Sequence, residues 1–212
     1  MSRFVSGWFA GMLLGSLCWF TPPGWAQESK SGLYVGAHVG GVFRPDTRMT
    51  SPTLGSETVE FQPGYTFGGV FGYDFGQWIR IEGEIAYREN TLRTGSGDDP
   101  QAGTSVMMFN AFYDFYLFDN KFDVYFGGGL GAATAQLETF SLGRWMDENE
   151  TVFAYQLEAG VGYNVTRLAT FTVGYRYFDS DDPEFELSDG SLVTMGLSSH
   201  EILLKMRFRF PL

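Results

Sequence analysis

One cysteine occurs in 212 residues, Cys18, and it sits inside an apolar N-terminal run. The rest of the chain therefore has neither a disulfide nor a thiolate for nucleophilic or metal chemistry. A lipoprotein signal needs a small residue before its cysteine, and Leu17 occupies that place, so Cys18 reads as apolar filler. Histidine is almost as scarce: His38 and His200 are the whole supply of imidazole bases. Lys and Arg number 14 against 25 Asp and Glu, a net charge of -11. No basic surface is available to hold phosphates, which excludes a nucleic-acid partner. Beyond the N-terminus there is also no long uninterrupted apolar run of the kind a membrane-spanning helix needs.

The N-terminus reads as a secretory signal. Arg3 precedes an apolar run from Phe4 to Phe20, Pro22-Pro23-Gly24 breaks it, and Gly24-Trp25-Ala26 supplies a small-x-small end. Cleavage after Ala26 makes 1–26 a removed leader and 27–212 a single domain beginning at Gln27.

What is present in that domain is alternation. Strand side chains point to opposite faces in turn. In one segment Ile79, Ile81, Gly83, Ile85 and Tyr87 take one parity while Arg80, Glu82, Glu84 and Arg88 take the other. The last segment repeats the pattern, with His200, Ile202, Leu204, Met206, Phe208 and Phe210 against Glu201, Lys205, Arg207 and Arg209. A soluble barrel with an apolar interior would put the charges outside; a transmembrane barrel encloses them and turns the apolar set to lipid.

Eight such segments can be marked: Gly32 to Phe43, Gly64 to Phe75, Trp78 to Asn90, Thr104 to Phe118, Lys121 to Ala133, Val152 to Asn164, Leu168 to Phe178, and Ser198 to Phe210. Each is long enough to cross a bilayer at a tilt. Short connections alternate with long ones, and aromatic residues gather near the segment ends, where membrane barrels place interfacial girdles. The expected fold is all-β: an eight-stranded antiparallel up-and-down transmembrane β-barrel. With short turns in the periplasm and long loops outside, both mature termini are expected on the periplasmic side of the outer membrane.

An eight-stranded barrel is just wide enough to be filled by its own side chains. The enclosed set expected from parity is Arg80, Glu82, Glu84, Asp114, Glu158, Arg176, Glu201, Lys205 and Arg207, with Arg88 and Arg209 beside them. An unpaired charge in such a place costs several kcal/mol, so these groups should form an ion-pair plug. Counting from the strand ends places Glu82 and Glu84 level with Lys205 and Arg207, which predicts pairs among these groups, with Asp114 and Glu158 as further sharing partners. The competing use of the same charges is a narrow conducting path.

Three other features bear on function. Ser198, Ser199, His200 and Glu201 are the one cluster suggesting a lipid-modifying enzyme, but adjacent strand residues face opposite ways, so no catalytic residue is assigned. Asp179, Asp181, Asp182, Glu184, Glu186 and Asp189 crowd one loop without the spacing or glycine of a calcium loop, so no metal or cofactor is assigned. Phe140, Leu142, Trp145 and Met146 mix apolar and aromatic groups with acidic neighbours in the third long loop, the best candidate contact surface for a host or environmental ligand.

The chain resembles the small outer-membrane β-barrel proteins of Gram-negative bacteria, of the opacity-protein and OmpA/OmpX type. The likeness is carried by Gly32-Leu33-Tyr34-Val35-Gly36, by Val173-Gly174-Tyr175-Arg176-Tyr177-Phe178-Asp179, and by the Arg207-Phe208-Arg209-Phe210 close. It implies outer-membrane lipid and lipopolysaccharide as surroundings, the latter met through divalent cations because the loops are acidic. It also implies a monomeric, non-enzymatic surface protein of the porin-family barrel class, with roles in envelope integrity or adhesion. The family ends on an aromatic read by the barrel-insertion machinery; here Pro211 and Leu212 follow, and the resemblance assigns that signal to Phe208 and Phe210.

Overall fold

The computed structural model describes residues 31–45, 47–51, 55–76, 78–93, 101–137, 139–141, 144–146, 149–181, 184–186, 192–194 and 198–211. The expected leader, residues 1–26, lies outside them. Eight long strands run in chain order: β1 Gly32–Phe43, β2 Gly64–Asp74, β3 Ile79–Arg93, β4 Gln101–Leu117, β5 Phe122–Leu137, β6 Asn149–Asn164, β7 Ala169–Ser180 and β8 Ser199–Pro211. Each pairs antiparallel with its sequence neighbours. Gly32↔Pro211 through Phe43↔His200 join β1 to β8, so the sheet closes with no barrel edge left open.

The alternation sorts as sequence parity requires. Along β7 buried and exposed residues interchange almost without fault. Ile85 is 66 % exposed on the outer wall, while Arg88, Arg176 and Glu201 are 0 % exposed inside. Among the described residues no helix is long and apolar enough to cross a membrane. Rings gather on the outward side at the short-turn end, where Trp78, Tyr113, Phe115 and Phe126 stand in mutual contact.

The short connections have local causes. Phe118, Asp119 and Asn120 take φ of 50°, 54° and 64°, the left-handed values a tight hairpin needs, and Lys121 N–H donates to Phe118 O at 3.1 Å. At the β2–β3 turn the Gly76 N–H is capped by Asp74 Oδ1 at 2.8 Å.

The long connections differ from simple loops. Thr47–Ser51 pairs with Gly55–Phe61, Thr139–Ser141 with Arg144–Met146, and Glu184–Glu186 with Leu192–Thr194. Glu60 and Phe61 continue the ladder onto β3, and Thr194 pairs with Thr50, so two connections share a sheet. Strands β3 to β6 are also longer than expected, 15 to 17 residues against 11 to 13 for the others. Once one hairpin extends past the bilayer, its exposed backbone groups template the next strand, an effect that local apolar parity does not register.

Closure depends on glycine at inward positions. A β-carbon at Gly129 would stand 1.8 Å from Asn110 Oδ1 and 2.7 Å from Phe109 O; one at Gly72 would stand 2.4 Å from the Tyr34 ring. These glycines leave room on one strand for a large side chain from the next. We expect unheated protein to migrate differently from boiled protein on SDS electrophoresis. Gly129→Val should abolish that difference, because the clash includes backbone and side-chain rotation cannot relieve it.

Candidate functional site

The interior holds two tiers of charge. Nearer the short turns, Arg80 meets Asp114 with Nε and Nη2 at 3.0 and 3.2 Å, while its Nη1 reaches Glu82 Oε2 at 3.1 Å. The two-pronged contact fits the planar guanidinium to the carboxylate. Tyr34 OH donates to the same Glu82 oxygen at 3.0 Å. Arg207 Nη2 lies 3.4 Å from Asp123 Oδ2, and Arg209 pairs with Asp74.

The second tier is built on Arg176. Its Nη1 and Nη2 meet Glu84 at 2.7 and 2.9 Å, its Nε and Nη2 meet Glu158 Oε2 at 3.0 and 2.9 Å, and Nη1 reaches Glu201 at 3.5 Å. Lys205 Nζ completes Glu158 at 2.7 Å, and Arg88 Nε takes Glu201 Oε1 at 2.5 Å. Gln156 and Asn110 each donate to Glu84 Oε2 at 3.1 Å. One guanidinium thus serves three carboxylates from β3, β6 and β8.

Between the tiers stands an aromatic pair. Phe112 lies two residues from Asp114 on one side and Asn110 on the other, and it meets Tyr125 edge to face at 5.7 Å. Arg80 lies 4.2 Å from the Phe112 centroid, and Tyr125 OH donates to Glu158 Oε1 at 2.7 Å, so the rings tie the tiers together. Toward the long connections the interior turns apolar. Ala86, Val106, Met108, Ala133, Ala154 and Phe178 pack there, with Arg88 4.1 Å from the Phe178 centroid.

Seven carboxylates and seven Lys or Arg side chains occupy the interior among the described residues, counting Arg44 above β1 and the partly buried Arg209.

All nine residues expected in the plug lie inside and are paired. The pairing agrees with the expectation only in part: Lys205 takes Glu158, one of the expected sharing partners, whereas Glu82 takes Arg80, Glu84 takes Arg176 and Arg207 takes Asp123. Strand tilt and stagger shift levels around a closed barrel, so equal distance from a strand end does not mean equal depth. Asp74, Asp123, Tyr34, Tyr125, Asn110 and Gln156 also join the network; each has inward parity, the signal that could have included them.

The other candidates are placed as follows. His200 lies on the outer wall, stacked on Tyr175 with Nδ1 2.7 Å from its hydroxyl, whereas Ser199 and Glu201 face inward, 3.4 Å apart. The wall separates the histidine from both. His38 is buried, with Nε2 3.7 Å from Glu84. Phe208 and Phe210 are exposed on the outer wall of β8. Phe140 pairs in register with Trp145, and Met146 with Thr139. The side chains of Phe140, Trp145 and Met146, and Leu142 entirely, lie outside the described residues. No group of three or more His, Cys, Asp or Glu is placed to hold a metal ion among the described residues.

Comparison with known proteins places this geometry. The family described as outer membrane protein beta-barrel domain matches residues 12–210. A 22 kDa outer membrane protein of Rhizobium leguminosarum bv. viciae is 27% identical over 151 residues, 69% of this chain and 67% of that protein. Among solved structures, Neisserial surface protein A (NspA) aligns with a TM-score of 0.58 at 20% identity, covering 85% of this chain and 99% of that one. The outer membrane protein OprG of Pseudomonas aeruginosa aligns with a TM-score of 0.60 at 14% identity, covering 88% and 99%. At these identities the structural likeness speaks to fold alone.

Removing the hub should be far costlier than removing a peripheral partner. We expect Arg176→Met to lower the unfolding free energy in urea by about 3–5 kcal/mol, because three buried carboxylates lose their shared counter-charge. Arg207→Met, which loses one contact at 3.4 Å, should cost clearly less in the same measurement.

Proposed function

The chain belongs to the outer-membrane β-barrel family, and from that premise we propose that it is a non-enzymatic, non-conducting anchor that displays its long connections at the cell surface. The observation that carries this reading is the filled, charge-balanced interior, in which the Arg176 hub, the Phe112–Tyr125 pair and the apolar layer leave the barrel closed by its own side chains. A wide pore needs a hydrated bore, and eight strands plugged in this way do not supply one. The separation of His200 from Ser199 and Glu201 by the wall supports a non-enzymatic role.

In this reading the short turns and both mature termini face the periplasm, and the long connections with their paired strands face outward. Those connections carry the recognition, including Phe140, Leu142, Trp145 and Met146, toward a host or environmental partner. Acidic side chains in them meet lipopolysaccharide phosphates through divalent cations. Phe208 and Phe210 serve the barrel-insertion machinery, and the protein acts as a monomer in envelope integrity or adhesion.

Planar-bilayer recording tests the closed interior: no resolved single-channel steps are expected, and regular unitary conductance would replace this reading with a narrow porin. Protease treatment of whole cells tests orientation. Cleavage in the long connections should abolish surface contact while the remaining barrel keeps its unheated migration on SDS electrophoresis.

A further inference from the structure

The interior charge is balanced as a whole but not tier by tier. Among the described residues the tier toward the long connections sets Arg44, Arg88, Arg176 and Lys205 against Glu84, Glu158 and Glu201. The tier by the short turns reverses this, with three guanidinia against four carboxylates. The first tier thus carries one more cation than carboxylate. Arg88 shows where that excess is felt. Its Nε donates to Glu201 Oε1 at 2.5 Å, its Nη2 to Gln156 Oε1 at 3.5 Å, and its face lies 4.1 Å from the Phe178 centroid. Its Nη1 is buried and has no hydrogen-bond partner among the described residues. A buried donor left unmade costs about 1–3 kcal/mol, and more when it is charged.

A second guanidinium converges on the same place. Arg44 Nη2 donates to Thr104 Oγ1 at 3.4 Å, and Thr104 is the neighbour of Arg88 across the β3–β4 ladder. The charges acting most strongly on Arg44 are Arg88, which repels it, and Glu201, which attracts it. Glu201 is already engaged by Arg88 and Arg176. On the next strand Ala135 lies beside Thr104 and Ala133 beside Val106, so β5 brings no polar side chain to this level. We propose that Arg88 and Arg44 hold a small inorganic oxyanion of the phosphate type at the long-connection end of the lumen. Arg44, 8 % exposed, marks the approach from that side. A water molecule could accept from Nη1 but would leave the surplus charge unanswered. An oxyanion answers both, and its several acceptor oxygens suit the planar fork of a guanidinium. The closed wall keeps lipid headgroups from the site. The proposal goes beyond the display role and does not depend on it.

Phosphorus NMR of inorganic phosphate, titrated with the folded barrel in dodecyl maltoside micelles, reads the site directly. The urea midpoint in sodium phosphate, against sodium chloride at equal ionic strength, reads it by linkage, because a ligand bound only by the folded state stabilises it. Arg88→Lys keeps a charge for Glu201 and removes Nη1; Arg44→Gln removes the second cation; Arg207→Met, in the tier by the short turns, is the control. Unheated SDS migration establishes that each is folded, and Arg44→Gln decides should Arg88→Lys fail. The unaltered chain and Arg207→Met should broaden the phosphate signal saturably and gain stability from phosphate beyond that from chloride. In Arg88→Lys and Arg44→Gln the apparent affinity should fall about tenfold or more. Stabilisation through exclusion of phosphate from the protein surface would persist in every variant. The proposal is overturned if the unaltered chain gives no saturable broadening, if a folded Arg88 or Arg44 variant binds phosphate as the unaltered chain does, if Arg207→Met loses binding equally, or if chloride raises the midpoint as much.

Discussion

Charge enclosed in a barrel interior must find opposite charge, and the rest of this structure is arranged around that necessity. Removing an ion from water costs several kcal/mol, which is offset only by close pairing with remaining lone pairs and protons also satisfied. Arg176 meets the requirement by facing three carboxylates at once, two of which are completed by Lys205 and Arg88 and the third by the amides of Gln156 and Asn110. The aromatic pair at Phe112 and Tyr125 extends the same solution by lying against Arg80 and hydrogen bonding to Glu158.

The wall is shaped by what it encloses and by what surrounds it. Long side chains crossing the lumen leave no space for a β-carbon opposite them, hence the inward glycines at 72 and 129. On the outward side, a β-carbon at Gly69 or Gly83 would come no nearer than 3.8 Å to any described atom beyond its chain neighbours. The same division separates charge: among the described residues the interior is balanced, and that balance holds the barrel shut.

This division of labour accounts for the functional reading. A barrel whose centre is occupied by a connected network has its chemistry committed to its own closure, and activity is then left to surfaces beyond the strands. Strands β3 to β6 rise past the others, and the paired segments between β1 and β2 and between β7 and β8 add to the sheet on the same side. Backbone pairing joins the segments of two of these connections to the barrel sheet.

Parity along the chain was enough to reveal the fold. Ile79 to Arg88 and His200 to Phe210 alternate so strictly that the apolar and ionised faces and the enclosed charges are legible in the sequence, and the recurrence of such segments carries the strand count. Side-chain direction is a local property of extended backbone, which is why sequence determines it. Which carboxylate meets which base is a different kind of fact. It depends on the stagger of eight strands around a closed sheet, which set Glu84 against Arg176, 92 residues away, and Arg207 against Asp123, 84 residues away. Only closure decided those pairs, because depth within a barrel is a relation between strands and is written in no single one of them.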